Sequence, residues 1–259
     1  MHELFRDTYR YRELIWALAL KELKIRYKRS ALGFLWALLN PALLMLILTL
    51  VFSTISRGLG IQYYSIFLMS TLLPWTFFSQ TLSYAVDSIV GNGALIKKVR
   101  LPKLVFPVAA LVSNIINFLL SLIPLLLLIA GMRFPMHWTW VYLPVPLLGL
   151  TMFALGMGFL VAALNVFYRD MAHIVQIVLS AWFYFSPILF SLDFISPHSR
   201  WILRLNPMVY VLNGFRLAIY YGLLPSMASV TASLVVGVAA LVIGFTVFRR
   251  YQKLFVFYV

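Results

Sequence analysis

Few side chains in this 259-residue sequence could do chemistry, and their spacing restricts what that chemistry could be. Asp170 and His173, at i and i+3, share one helix face and could form an acid–base pair. No third partner adjoins them in sequence, so a polar pair at a helix end is the simpler reading. Asp193 and His198 sit near a turn and could hold a metal only with further ligands. No catalytic residue and no metal site is therefore assigned. There is also no Gly-Lys pair, hence no phosphate loop of the form G-x-x-x-x-G-K-[ST], and the chain does not itself hydrolyse ATP. Cysteine is absent, which excludes disulfides and thiolate metal sites.

The elements that must carry these residues follow from where charge is missing. No Asp, Glu, Lys or Arg occurs in 30–56, 58–86, 104–132, 134–168, 171–192 or 217–248. A helix needs about 20 apolar residues to cross a hydrocarbon core roughly 30 Å thick. A charge at its centre costs at least ~2.5–3.5 kcal/mol. Six stretches of this kind predict an all-α polytopic membrane protein with six transmembrane helices. A closed barrel is the other solution to backbone satisfaction in lipid. Its strands alternate polar and apolar residues over about ten positions, and a run such as Leu119–Leu128 does not alternate.

Hydrophobic residues make up 63% of the chain and charged ones 11%, so its formal charge of +14 is a question of sidedness. With both termini inside, the inner segments hold eight Lys/Arg in 1–29, four in 97–103, Arg169, and three in 249–253. The outer segments hold Arg57, Arg133, Arg200, Arg204 and Arg216. Sixteen against five satisfies the positive-inside rule. Anionic lipid headgroups are the expected partner of the basic segments, and nucleic acid is not. Asp87 and Asp170 then fall at inner span ends and Asp193 at an outer one, which leaves only His173 within the bundle. Ion-driven transporters place titratable relays inside. Energy for transport would come from another subunit.

Residues 1–31 read as a cytoplasmic N-terminal segment, 32–248 as the transmembrane domain and 249–259 as a cytoplasmic tail. No cleavable signal peptide is evident. Within 14–29, Trp16, Leu20, Leu23 and Tyr27 fall on one helical face, with Lys21, Lys24 and Lys28 on the other, which predicts an interfacial helix. The loop Gly91–Lys103 is broken by glycine and ended by Pro102, and its later half predicts a short basic helix. Residues 194–226 lie outside yet are apolar, aromatic and punctuated by Pro197, Pro207 and Pro225. Short helices dipping into the outer leaflet and returning are expected there, the alternative being a loop packed on the bundle. Trp138, Trp140, Tyr142, Tyr63 and Tyr64 suit an aromatic belt. Phe77, Phe78, Trp182, Tyr184 and Phe185 are deeper and are candidates to line a conduit, where ring faces stack on sugars; periodicity does not separate lining from packing.

Four stretches carry a family resemblance. They are Arg26 to Trp36 with Asn40-Pro41, Asn92 to Lys103, Phe167-Tyr168-Arg169-Asp170 followed by Ser186-Pro187-Ile188, and Asn206-Pro207 through Gly214-Phe215-Arg216. In that order they resemble the membrane subunit of a type-2 ATP-binding-cassette exporter of the polysaccharide branch. The resemblance implies a homodimer paired with two copies of a nucleotide-binding ATPase, which would bind ATP and Mg, so this chain needs no cofactor of its own. It implies coupling contacts to that ATPase at Lys21, Lys24, Lys28, Leu95, Lys97, Lys98, Arg100, Lys103, Arg169 and Asp170. It implies an exit segment containing Asn206, Pro207, Tyr210 and Arg216. The cargo would be a lipid-linked glycan such as O-antigen, capsule or teichoic acid, exported across the bacterial inner membrane. The alternatives are an ATP-driven exporter of small molecules or drugs, and a membrane-embedded enzyme acting on lipids or sugars.

Overall fold

The computed structural model describes residues 2–28, 30, 32–58, 61–99, 101–191, 203 and 205–259. Arg100, Asp193 and His198, with 194–202 and 204 of the apolar outer stretch, lie outside the described residues. The described chain is helical: α1 His2–Arg10, α2 Arg12–Tyr27, α3 Trp36–Gly58, α4 Tyr64–Ser88, α5 Gly93–Lys98, α6 Val105–Gly131, α7 Pro144–Phe167, α8 Met171–Tyr184, α9 Pro207–Arg216, α10 Met227–Tyr251 and α11 Phe255–Tyr258. Five of the expected spans are continuous helices of at least 23 residues: α3, α4, α6, α7 and α10. By length and composition together, α6, α10 and α7 with its preceding turn are apolar enough to cross a bilayer. The fifth stretch differs: α8 has 14 residues, about 21 Å at 1.5 Å per residue, short of a full crossing. Its end precedes Pro187, whose ring disfavours a helical conformation at Ser186.

Helix α4 is the hub. Its buried residues run from Tyr64 to Ser88, and it packs on α3, α6, α7, α8 and α9. It carries hydroxyls into apolar surroundings because each has a local acceptor. Thr76 Oγ1 donates to Leu72 O (2.8 Å), Thr81 Oγ1 to Phe77 O (2.7 Å) and Ser83 Oγ to Ser79 O (2.9 Å). Such back-bonding removes the penalty of an orphaned donor.

The closest helix pair is α7 with α10. Cβ atoms placed on Gly156 would collide with the backbone of Ala240 and Leu241, and on Gly244 with the backbone of Gly156. A Cβ on Gly237 would come 2.7 Å from Gly149 O. Glycines seven residues apart on both helices therefore let the two backbones touch, a small-residue seam suited to membrane packing.

The interfacial helix forms, but rotated relative to expectation. Its buried stripe is Ile15, Leu18, Ala19 and Leu23, while Trp16 is 53% exposed. The cause lies in α6, which presents Ser113 and Asn114 and draws Glu22 and Arg26 into the same buried face.

Candidate functional site

Two groups of expected site residues lie at opposite ends of the bundle. At the basic end, Lys21 Nζ donates to Asn92 Oδ1 (3.3 Å), and Asn92 Nδ2 donates to Ser88 O (2.9 Å). These bonds join α2, the end of α4 and the turn that starts α5. Lys24, Lys28, Lys97 and Lys98 stay exposed, Leu95 and Lys103 are half-buried, and Gly93 and Ile96 are the buried residues of α5. The result is a charged surface on an apolar footing.

Below that surface lies a polar layer that the sequence did not single out. Ser113 Oγ donates to Glu22 Oε2 (2.9 Å). Arg26 reaches Gln80 Oε1 (3.4 Å) and Asn114 Oδ1 (3.2 Å), with its guanidinium carbon 3.9 Å from the Tyr84 ring centroid. Burial pushes the Glu22 carboxyl up from its ordinary value, opposed by the Ser113 hydrogen bond and then by Arg26 and Lys21. The signal available in sequence was the i, i+4 pair Glu22 and Arg26 within an otherwise apolar face.

Asp170 and His173 are both exposed, and Arg169 Nη2 donates to Tyr258 O (2.9 Å) rather than serving Asp170. Among the described residues no group of three His, Cys, Asp or Glu could hold a metal ion.

At the far end, α9 grips the turn that follows α8. Asn206 caps α9, its Oδ1 accepting from Met208 N (3.0 Å) and from Trp182 Nε1 (2.8 Å). Its Nδ2 donates to Phe185 O (3.0 Å) and Ser186 Oγ (3.2 Å). Pro207 follows at the first helical position, where its missing N–H costs nothing. Nine residues later Arg216, only 3% exposed, donates to Phe190 O (3.0 Å), Ile188 O (2.9 Å) and Thr71 Oγ1 (3.0 Å). Its guanidinium also lies over the Phe67 ring, 4.0 Å from the centroid. Tyr210, between these two, is half-buried. The outer arginine counted as a loop charge is thus a buried clamp that holds carbonyl oxygens.

The conduit candidates separate. Phe78 is fully buried, stacked on Phe153 (5.3 Å) and edge-on to Trp182 (5.4 Å). Phe77 is buried against Phe118 (5.6 Å) and borders a small notch of about 30 Å³ lined also by Asn40, Gln80, Asn114 and Ser121. Trp182 is half-buried, whereas Tyr184 and Phe185 are 71% and 66% exposed. Phe78 is a packing residue in this protomer, and the free ring faces belong to Tyr184 and Phe185.

Long apolar helices and a basic surface at one end define a polytopic membrane protein. Comparison with known proteins gives the same class and narrows it. Residues 13–220 match the family described as ABC-2 type transporter. The chain is 37% identical, over 98% of both sequences, to the O-antigen export system permease protein RfbA of Myxococcus xanthus. It is 29% identical to a Klebsiella pneumoniae protein of the same name, over 94% of this chain and 93% of that one. To the polysialic acid transport protein KpsM of Escherichia coli it is 27% identical, over 92% and 93%. The chain belongs to the ABC-2 transporter membrane family.

Proposed function

We propose that this chain is the permease subunit of an ATP-driven exporter that moves a lipid-linked, O-antigen-like polysaccharide out of the cytoplasm. The observation that carries the reading is the 37% identity to an O-antigen export permease over 98% of both chains. The subunit works as a homodimer joined to two copies of an ATPase, which binds ATP and Mg. The basic end faces the cytoplasm of a bacterial inner membrane, with both termini on that side and anionic headgroups around Lys24 and Lys28, in keeping with the positive-inside rule.

In this reading α2 and α5 receive the motion of the ATPase, because they present Lys21, Lys24, Lys28, Lys97 and Lys98 on buried apolar footings. The stretch 194–226 is re-entrant. Its described part supports this: α9 is ten residues long with Met208, Val211, Leu212 and Phe215 buried. The exposed rings of Tyr184 and Phe185 lie beside that segment, where sugar faces could stack.

The test is reconstitution. Purified permease should copurify with its ATPase and, in vesicles, move lipid-linked polymer only when ATP is supplied. Deleting residues 92–103 should leave an inserted protein that exports nothing. Export by the permease alone, or normal export after that deletion, would sink the proposal.

A further inference from the structure

The segment after the last long helix does not hang free. Gln252 N bonds to Phe248 O (2.8 Å) and Leu254 N to Tyr251 O (2.9 Å), which turns the chain back beneath the basic end into α11. Phe255 is 0% exposed, with its ring 5.2 Å from Phe248 of α10 and 6.1 Å from Phe167 of α7. It shares one apolar cluster with Ile96 of α5. The Tyr258 ring meets Phe167 at 5.0 Å, and the Tyr258 carbonyl accepts from Arg169. Next to it, the Val259 side chain occupies the space that any Cβ at Gly93 would need, and Gly93 is the first residue of α5.

Helix α5 has six residues. A helix that short does not hold its shape in water unaided, because nucleation is unfavourable and isolated helices below about 12 residues are marginal. Its footing includes Ile96, which shares an apolar cluster with Phe255, and the contact of Gly93 with Val259, the residue that follows α11. Through Phe255, α11 in turn rests on the ends of α7 and α10, the pair whose backbones touch along the glycine seam. Packed side chains on a rigid pair are a physical route for coupling between distant sites.

We propose that residues 252–259 form a brace that positions α5 against the ends of α7 and α10, so that displacement of α5 is passed to that helix pair. Phe255 and Val259 are positioning residues in this scheme. The proposal rests on the reading of α5 as the element the ATPase moves.

A cysteine pair tests it directly, since the chain has no cysteine of its own. An ideal Cβ at Gly93 lies 3.6 Å from Val259 Cβ, inside the range of about 3.5–4.5 Å found in disulfides. In the assembled permease–ATPase complex, G93C/V259C should oxidise to a disulfide and should export as much polymer per ATP as its reduced form. No disulfide, or a disulfide that stops export, overturns the brace, since the two segments would then be apart or need to part. Phe255→Ala should keep ATPase binding and hydrolysis but lower polymer exported per ATP by about fivefold or more, the scale of an ordinary coupling free energy. Phe255→Leu should restore most of it. Unchanged coupling in Phe255→Ala also overturns the brace. The underlying functional reading fails separately, if the parent chain exports without ATP.

Discussion

Helices α7 and α8 are neighbours in sequence and opposite in how they are held. Helix α7 is joined to α10 along its length by backbone contact at Gly149, Gly156, Gly237 and Gly244. Helix α8 buries only Val175 and Leu179 and leaves Ile174, Ile177 and Val178 exposed. Its polar attachments are few: Gln176 Nε2 donates to Ser83 Oγ (3.0 Å), and Asn206 and Arg216 grip the turn beyond its end. Close contact along a seam resists shear, because packed interfaces are not continuously deformable. The contrast makes α7 and α10 the tightly joined frame of the bundle, with α8 more loosely packed beside it.

The strongest way to break this contrast is to wedge the seam. Gly156→Val places a side chain on the Ala240 backbone, where neither helix can yield without separating. Overpacking of this kind should cost about 3 kcal/mol or more, read as a large drop in melting temperature of the purified protein. A variant as stable as the parent would show that the seam is not the frame.

Next in size is Arg216→Met. It strips hydrogen bonds from Ile188 O, Phe190 O and Thr71 Oγ1 inside the protein. Unpaired buried acceptors cost about 1–3 kcal/mol, and amide exchange over 186–191 should rise while exchange in α7 stays slow. Equal acceleration in α7 would erase the distinction between frame and clamp. Asn206→Ala should cost about 1 kcal/mol, in the range of a lost N-cap. It should speed exchange at the start of α9 and shift the fluorescence contributed by Trp182, with Trp182→Phe as the control.

The smallest effect sharpens the basic end. Glu22 has a folded-state pKa raised by burial, so its ionisation opposes folding. No penalty exists below the unfolded pKa; it grows as pH rises through the folded value and is complete above it. Stability should therefore decline as pH rises from the ordinary carboxyl range through the raised folded-state value, and Glu22→Gln should flatten that slope. A slope unchanged in Glu22→Gln would place the titration elsewhere.

How much of this was legible in the sequence depends on which residues had to meet. The bounds of α6 follow its charge-free stretch closely and α7 lies within its own, while α4 and α10 pass the C-terminal ends of theirs only to take in Asp87, and Arg249 and Arg250, because a helix in lipid cannot carry unpaired charge at its centre. A short basic helix was expected in the later half of Gly91–Lys103, up to Pro102; α5 instead occupies Gly93–Lys98 and ends where the Val99 backbone turns extended. The interfacial helix was legible but its buried face was not, since the partners Ser113 and Asn114 are some 90 positions away and periodicity is silent about them. Phe78 and Tyr184 look alike in sequence, both aromatic within apolar runs. One is enclosed and the other open because only folding decides which helix stands opposite.

The sequence by itself determined the solvent of this protein and set an expectation for its sidedness. Charge-free lengths and the placement of Lys and Arg are properties of single segments, and each segment's transfer free energy is set without reference to the others. Only the tertiary structure decided that Arg216 is a buried clamp, that glycines join α7 to α10, and that Phe255 and Val259 underlie α5. Those features depend on pairs of surfaces far apart in the chain, and complementarity between surfaces exists only once they are brought together.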